Sequence, residues 1–155
     1  MAIVRLHRRQ RSATNYDGSL LYAGRWNPPG TPMLYASTSL SLACLEILVH
    51  LSPRQIPAEY VYSKAKFEAP AVAPEYFEVT DFRGDLMDAD STRRAGRSWA
   101  TRMESVGLLV PSVIIPVEMN VLLNPLHPAF KELTWGDPEP FEFDPRLVKL
   151  EAVPE

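Results

Sequence analysis

The segment at residues 38–51 constrains the fold most, because a helix with this sequence has almost no polar surface. Its apolar residues follow the i, i+3, i+4, i+7 spacing of one helical face and also occupy the opposite side. They are Leu40, Ala43, Cys44, Ile47, Leu48 and Leu51 on the first face, and Leu42, Leu45 and Val49 on the other. A helix that is apolar almost all round is buried. We therefore predict a buried helix over residues 38–51, capped by Ser37 or Thr38 and stopped by Pro53.

A thin polar stripe along this helix consists of Ser39, Glu46 and His50. An ionised carboxylate buried without a partner is costly, so Glu46 requires a cation, strong hydrogen-bond donors or a function. Two interpretations stay open at this point: a structural ion pair of Glu46 with His50 or with an arginine, or a place in a functional site. Cys44 lies on the apolar face and is expected to be an inert core residue rather than a nucleophile.

Prolines limit the rest of the architecture. The chain has 15 prolines among 155 residues, about twice the usual share, and proline interrupts regular elements. A turn is predicted at residues 16–19, and a second helix at residues 91–106, capped by Asp90 or Ser91. Short strands are predicted at residues 3–6, 33–36, 60–67, 77–80, 108–117, 121–123 and 141–150, the last interrupted at Pro145. We therefore expect an α+β fold in a single domain spanning residues 1–155.

A proline-rich loop at residues 27–32 precedes the strand at residues 33–36. Because prolines lock its backbone, the loop is expected to be rigid. Arg25, at the head of the loop, is suited to offer its planar donor fork to a phosphate or a carboxylate, with Trp26 stacking beside it. By itself, however, the pattern favours a surface turn anchored by Trp26, and Tyr35 in the following strand by itself favours a core position over a ligand contact.

A single hydroxyl, that of Ser112, interrupts the apolar strand predicted at residues 108–117. By alternation it shares a face with Val110 and Ile114, and a buried serine requires a backbone or ligand partner. The G-x-S-x-G pattern of a nucleophile elbow is absent. His127 lies between two prolines, where it either lines a site or, more commonly, caps a turn.

Composition argues against several classes of function. The formal net charge of −3 disfavours a broad basic surface for nucleic acid. One cysteine and three histidines disfavour a disulfide and a multi-ligand metal site. No run of 18 apolar residues and no secretory signal is present, so we expect a cytoplasmic location. Two local basic clusters are interpreted as solvated faces: His7, Arg8, Arg9 and Arg11, and Arg93, Arg94, Arg97 and Arg102.

These pieces together resemble the RES domain family. Residues 24–32, followed by Leu34-Tyr35, Ser39-Leu40, Ala43, Leu45-Glu46 and His50, resemble its N-terminal signature. Val110-Pro111-Ser112, Asn120, Asn124-Pro125 and His127-Pro128 resemble its C-terminal signature. The arginine, glutamate and serine that give the family its name match Arg25, Glu46 and Ser112. The resemblance covers nearly the whole chain but is weak over residues 53–90.

The resemblance implies the toxin of a bacterial type II toxin–antitoxin pair, whose partner is an Xre-like antitoxin that covers the active site. It implies a mixed, split β-sheet flanked by helices, similar to ADP-ribosyltransferase toxins. It also implies cleavage of the nicotinamide–ribose bond of NAD, by hydrolysis or phosphorolysis. NAD is then the substrate, no cofactor is required, and neither a membrane nor direct nucleic-acid binding by this chain is involved.

On the same basis Arg25, Tyr35, Glu46 and Ser112 are predicted to be catalytic. Arg25 suits the phosphates, and Glu46 suits the ribose, its oxocarbenium-like state or the acceptor. Tyr35 is suited to stack on or bond to the nicotinamide ribose, and Ser112 to donate to the carboxamide or a phosphate. The predicted substrate-binding residues are Arg25, Trp26, Asn27, Tyr35, Ser112 and His127. The alternatives are an ADP-ribosyltransferase with a protein target, a non-catalytic binding module and an RNA-targeting toxin.

Overall fold

In the computed structural model, which describes residues 2–51, 59–67 and 77–147, eight short strands form a mixed sheet. The strands are β1 (Ile3–Arg8), β2 (Leu34–Ser37), β3 (Tyr60–Phe67), β4 (Phe77–Val79), β5 (Gly107–Pro111), β6 (Met119–Leu123), β7 (Leu133–Trp135) and β8 (Glu139–Phe141). The α-helices are α1 (Asp17–Leu21), α2 (Leu40–Leu48) and α3 (Ala89–Arg102), and 3₁₀ turns lie at Pro128–Glu132 and Pro145–Leu147. The predicted α+β class is confirmed.

The sheet consists of two halves that meet at β1 and β2. One half runs in the order β4-β5-β6-β2, and the other is built on β1 and β3, with β7 and β8 both pairing with β3. β1 and β2 are in register at the residue pair Val4 and Ser37, whereas β1 and β3 pair along the whole of β1. This sparse pairing is the split that the resemblance implied, and it opens the sheet near its centre.

Helices α2 and α3 cover the same face of the sheet, one on each half. Leu6 of β1 packs in a cluster with Cys44 of α2, and Leu122 of β6 packs in a cluster with Trp99 of α3. The register of β1, β2 and β6 puts Leu6 and Leu122 on one side, because alternate residues of a strand share a face. Burial raises the pKa of the Cys44 thiol, in agreement with its predicted role as an inert core residue.

The predicted helices are confirmed, but α2 is only partly buried, with three buried residues among its nine, and the caps of both helices lie elsewhere. Helix α2 begins after Ser39, whose Oγ accepts a hydrogen bond from the Leu42 amide at 3.2 Å. Helix α3 begins after Asp88, whose carboxylate accepts hydrogen bonds from the first-turn amides, and it ends at Met103 in the left-handed region with φ 56°. Serine and aspartate both bind the free amides of a first turn, so neighbouring residues of these types compete for the cap. Pro53, the predicted stop of α2, lies outside the described residues.

Three predicted elements differ in the structure. The turn at residues 16–19 is part of the short helix α1, which carries Asp17 in its first turn, where an acidic side chain is favourable. The strand predicted at residues 108–117 ends at Pro111, where the chain turns. The strand at residues 141–150 is replaced by β8 and a 3₁₀ turn at Pro145–Leu147, and its last three residues lie outside the described part of the chain. The other predicted strands are confirmed to within about two residues, as expected for element boundaries. β7 was not predicted, because three residues show no periodicity.

Candidate active site

A cleft of about 650 Å³ lies between α2 and α3, above the opening in the sheet. Four of the predicted residues line it: Arg25, Trp26, Tyr35 and Glu46. Of the remaining predicted residues, Ser112 lies directly behind Glu46, and Asn27 lies behind Tyr35, because each hydrogen-bonds to the cleft residue named. The structure therefore brings together residues that are distant in sequence, as the resemblance implied.

Glu46 projects from α2 and is half-buried in the wall of the cleft. Its Oε1 accepts a hydrogen bond from Ser112 Oγ at 2.7 Å and another from Asn120 Nδ2. Asn120 Oδ1 in turn accepts a bond from Ser37 Oγ at 2.7 Å. Oε2 forms no hydrogen bond with any residue the structure describes. The carboxylate is thus oriented through one oxygen, while the other remains available to a ligand.

These contacts test the ion-pair interpretation of Glu46. Within the described ranges Glu46 forms no ion pair with His50 or with an arginine. Its partners are neutral donors, which hold a carboxylate without neutralising its charge. Glu46 therefore belongs to a polar network, which we call the carboxylate network: Glu46, Ser112, Asn120 and Ser37.

Ser112 explains why β5 ends where it does. Its Oγ accepts hydrogen bonds from the amides of Ile114 and Ile115, at 3.1 and 3.0 Å, and its own amide donates to Glu118 O at 2.9 Å. Such a local bond between a serine hydroxyl and the backbone competes with a strand, so the chain turns instead of continuing to residue 117. The hydroxyl proton is donated to Glu46 and not towards the cleft, because Ser112 is fully buried.

The loop that carries Arg25 is organised around Asn27, which is 1% exposed. Asn27 Nδ2 donates to the carbonyls of Ser19, Tyr22 and Pro28, each at 3.1 to 3.2 Å. Its Oδ1 accepts from the Gly24 amide at 3.1 Å and from Tyr35 Oη at 2.7 Å. Every polar atom of this side chain is used inside the protein.

Tyr35 connects the same loop to the sheet. Its hydroxyl donates to Asn27 and accepts from the Trp26 amide at 3.0 Å, and burial raises the pKa of the phenol above its usual value. Gly24 has no room for a side chain, because an added Cβ would lie 2.4 Å from Asn27 Oδ1 and 2.5 Å from Tyr35 Oη. We call Gly24, Trp26, Asn27 and Tyr35 the loop network.

Helix α3 holds this loop from the other side. Gly96 allows the close approach, because a Cβ at this position would lie 1.9 Å from Trp26 O. Thr92 Oγ1 donates to Arg25 O at 2.5 Å. The Trp26 ring is 3% exposed and packs edge-to-face on Phe82, with ring centroids 5.5 Å apart. The Trp26 ring therefore anchors the loop, which is the role that the sequence pattern by itself favoured.

The Arg25 side chain is half-buried and lines the cleft. Nη1 donates to Leu86 O at 3.3 Å and lies 3.5 Å from Met87 O. Its Nε and Nη2 groups donate to no residue in the described part of the chain. Arg25 is thus held by carbonyls at one corner of the guanidinium and keeps donors for a ligand.

Two residues of the cleft were missed by sequence reasoning. Asn120 was noted only as part of a signature, yet it binds Glu46 directly. Arg93 was assigned to a solvated basic cluster, but it is half-buried and lines the cleft, and its Nε donates to Gly24 O at 2.8 Å. Helical spacing contained the signal, because Arg93 lies three and seven residues before Gly96 and Ala100 on the buried side of α3.

His127, predicted to be a substrate-binding residue, does not line the cleft. Its Nδ1 accepts the Ala129 amide at 3.1 Å and caps the 3₁₀ turn at Pro128–Glu132. His127 caps this turn because a side-chain acceptor just before Pro128 can bind the free amide of the first turn. His50 is exposed and lines the cleft one helical turn beyond Glu46.

No group of three or more His, Cys, Asp or Glu side chains among the described residues is placed to hold a metal ion. None of their helices is long and apolar enough to cross a lipid bilayer.

Comparison with known proteins places the chain among toxins. The model of the RES domain family matches residues 2–144. A Yersinia enterocolitica protein named Toxin Res is 36% identical over 153 residues, which are 95% of this chain and 99% of that protein. A Sphingobium sp. protein named Prs ADP-ribosylating toxin is 35% identical over 139 residues, which are 85% of this chain and 84% of that protein.

The fold also occurs in a solved structure, described as the crystal structure of the M. tuberculosis MbcT–MbcA toxin–antitoxin complex. The match has a TM-score of 0.69 at 18% sequence identity and covers 91% of this chain and 84% of that one. The expected fold, and its kinship with ADP-ribosylating toxins, are confirmed by these matches.

Proposed function

The chain belongs to the RES domain family, and we propose that it is a toxin that cleaves the nicotinamide–ribose bond of NAD in the cleft between α2 and α3. The observation that carries the proposal is the polarity of this cleft. One wall holds the carboxylate of Glu46 and the loop side holds the guanidinium of Arg25, and each keeps polar atoms without a partner among the described residues. NAD has the matching polarity, because its diphosphate is anionic and its nicotinamide ribose becomes cationic during cleavage.

The chemistry requires little more than this arrangement. The nicotinamide ring of NAD already carries a positive charge, so it leaves as a neutral base and needs no general acid. Positive charge then develops on the ribose in an oxocarbenium-like state, as in glycoside hydrolysis. Glu46 Oε2 stabilises that charge or orients the incoming acceptor. Ser112 and Asn120 act through Glu46 by fixing its orientation beforehand, which is how preorganised polar groups lower a barrier. The proposed reaction needs no cofactor.

The loop network supplies the binding half of the site. Arg25 binds the diphosphate with the guanidinium donors that are not hydrogen-bonded to Leu86 O. The Tyr35 ring lines the cleft and stacks on the nicotinamide ribose end of the substrate, while its hydroxyl stays with Asn27. Trp26 and Asn27 contribute by holding the loop in position.

Incubation of the purified protein with NAD, with and without inorganic phosphate, tests the activity. We expect NAD to be consumed and nicotinamide to be released in equal amount. The second product distinguishes the acceptor: ADP-ribose indicates water, and ADP-ribose 1″-phosphate indicates phosphate. Arg25→Ala is expected to abolish consumption. Intact NAD after incubation with correctly folded wild-type protein would reject the proposal.

A second candidate function is transfer of ADP-ribose to a protein. It is favoured by the Sphingobium relative, whose name describes it as an ADP-ribosylating toxin. Both reactions share the cleavage step and the same site residues. NAD labelled in the adenylate portion separates them in a cell extract, because label on a discrete protein band indicates transfer, whereas label only in small molecules indicates hydrolysis or phosphorolysis.

We further propose that an Xre-like antitoxin covers the cleft, and that the protein acts in the cytoplasm, where NAD and such a partner occur. The solved structure with this fold is a toxin–antitoxin complex by its description. Apolar side chains of the cleft lining and of its sequence neighbours are exposed: Val49, which lines the cleft, is 57% exposed, and Tyr22, which precedes the lining residue Ala23 in the chain, is 71% exposed. A protein partner that covers the cleft buries such side chains.

Co-expression with the antitoxin tests this partner. Tyr22→Asp is expected to weaken neutralisation in a growth assay while NAD turnover by the isolated toxin stays near wild type. Leu126→Asp is the matched control, because Leu126 is 58% exposed and, unlike Tyr22, is not next to a lining residue in the chain. Equal neutralisation of Tyr22→Asp and Leu126→Asp would show that the partner binds elsewhere.

A further inference from the structure

We propose that Arg93 is a second diphosphate-binding residue, which together with Arg25 makes the cleft select substrates that contain a diphosphate. The inference deepens the proposed function and rests on the same cleft. It concerns a residue that the sequence had grouped with solvated arginines.

The position of Arg93 is set by one hydrogen bond. Its Nε donates to Gly24 O at 2.8 Å, and the side chain is half-buried in the cleft wall. This bond uses the inner edge of the guanidinium, and both Nη groups donate to no described residue. Gly24 immediately precedes Arg25, so the bond holds the Arg93 side chain against the backbone segment that carries Arg25.

The charges that line the cleft are unbalanced. Apart from the Tyr35 phenol, the ionisable side chains among the described lining residues are Arg5, Arg25, Glu46, His50 and Arg93. Arg5 is already occupied, because its two Nη groups donate to the carbonyls of Ala13 and Asn15. Two guanidiniums with free donors therefore face a cleft in which Glu46 is the single carboxylate on the described lining.

Two other arginines of the chain have carboxylate partners, which Arg25 and Arg93 lack among the described residues. Arg102 pairs with Glu78 at 2.6 Å and with Glu104 at 3.0 Å, and Arg146 pairs with Asp144 at 2.9 Å. Neither Arg25 nor Arg93 has a carboxylate partner within the described ranges. A bound anion supplies the counter-ion that neither guanidinium has among the described residues.

The anion that fits is one with two adjacent charges. Guanidinium forks bind phosphate oxygens through paired, charge-assisted hydrogen bonds. A diphosphate offers one phosphate to each fork, whereas a substrate such as nicotinamide riboside offers none. The pair of arginines therefore discriminates between a dinucleotide and a nucleoside that carries the same reactive bond.

The test compares these two substrates. The wild-type protein, Arg93→Gln and Arg97→Gln are assayed on NAD and on nicotinamide riboside. Arg97 is the matched control, because it is exposed, lies one turn further along α3 and does not line the cleft. We expect Arg93→Gln to lower kcat/KM for NAD by about 10- to 100-fold, the range for a lost charge-assisted bond, mainly through KM. Its kcat/KM for nicotinamide riboside stays within about twofold of wild type, and Arg97→Gln matches wild type on both substrates.

The same variants distinguish a direct contact from an effect on the loop. An equal loss on both substrates would mean that Arg93 only positions the loop, and no loss on NAD would mean that it does not meet the substrate; either result overturns the proposal. Adding Arg93→Gln to Arg25→Gln gives a further check. A direct contact predicts an additional loss of ADP-ribose affinity in the double variant, whereas no additional loss overturns the proposal.

A binding measurement separates a failure of the diphosphate site from a failure of the proposed NAD cleavage. If the wild-type protein cleaves neither substrate, titration calorimetry with ADP-ribose still tests Arg93. Wild-type binding that weakens at least about tenfold in Arg93→Gln, but not in Arg97→Gln, supports the diphosphate site without catalysis. Binding that is unchanged in Arg93→Gln, or absent in the wild type, overturns it.

Discussion

The loop network and the carboxylate network lie on the two sides of the cleft, and both are held together by side-chain hydrogen bonds within the protein. In the loop network every polar atom of Asn27 has a partner from the protein itself, and the Tyr35 hydroxyl both donates and accepts. In the carboxylate network Glu46 Oε1 receives two donors, while Oε2 has no described partner. A closed network contributes to stability, whereas an open one keeps a charged group oriented and available to a ligand.

The comparison predicts that substitutions on the two sides fail in different ways. Changes to the loop network are expected to lower the free energy of unfolding more than turnover by the folded molecules. Changes to the carboxylate network are expected to lower turnover more than stability. Four substitutions test this separation, in order of expected effect.

Glu46→Gln is expected to have the largest effect. Glutamine keeps an oxygen for Ser112 and Asn120 but removes the negative charge, so NAD turnover is expected to fall by about 10²- to 10³-fold, or roughly 3–4 kcal/mol in the barrier. The unfolding midpoint is expected to stay close to wild type by calorimetry. Glu118→Gln, on the exposed turn after β5, is the control. A variant that is unstable but active per folded molecule would make Glu46 a structural residue.

Asn27→Ala is expected to act on stability. It leaves several buried backbone groups without a partner, and we expect the free energy of unfolding to fall by about 2–3 kcal/mol in urea titration. Asn15→Ala provides the comparison, because the Asn15 side chain is bonded at the exposed surface. A stability like that of wild type, together with a large loss of turnover, would contradict the description of the loop network as closed.

Ser112→Ala probes a residue that serves both the turn and the carboxylate. It removes one donor from Glu46 and the acceptor of the Ile114 and Ile115 amides. We expect a loss of turnover of about tenfold and a loss of stability of about 1 kcal/mol. Kinetics and urea titration of one preparation measure both. If only turnover changed, Ser112 would serve the carboxylate alone, and if only stability changed, it would serve the turn alone.

Tyr35→Phe is expected to have the smallest effect. It removes one hydroxyl from the loop network and leaves the ring in the cleft, so the free energy of unfolding is expected to fall by about 1 kcal/mol with kcat within about threefold of wild type. Tyr16→Phe is a suitable control, because it removes a phenol from the opposite face of the sheet. A large fall in kcat would instead indicate that the Tyr35 hydroxyl leaves Asn27 and meets the substrate.

Sequence reasoning succeeded where the signal is periodic and local. The apolar pattern of residues 38–51 predicted α2, and the same pattern left Glu46 as the acidic residue of a polar stripe. It failed at the end of β5, because an apolar run cannot show that Ser112 will bind backbone amides two and three residues ahead. It also failed at Arg93, which was grouped with its exposed neighbours Arg94 and Arg97 although its spacing matches the buried side of α3.

The resemblance to the RES domain family named Arg25, Glu46 and Ser112 but did not state how they meet. The local sequence alone explains the loop around Asn27, because proline and asparagine limit its backbone and fill its hydrogen bonds nearby. No local pattern shows that the Gly24 carbonyl receives Arg93 from 69 residues away. Such contacts depend on the packing of α3 against the loop, for which Gly96 is required.

The sequence by itself determined a largely apolar helix with a carboxylate on its polar stripe, because helix periodicity depends on neighbouring residues. Only the tertiary structure decided what that carboxylate became. Its donors Ser112 and Asn120 lie 66 and 74 residues away from Glu46 in the chain, and they reach it because β6 pairs with β2 and the turn after β5 folds back. Long-range pairing thus made a half-buried carboxylate an oriented group, with one oxygen that has no partner in the described part of the chain.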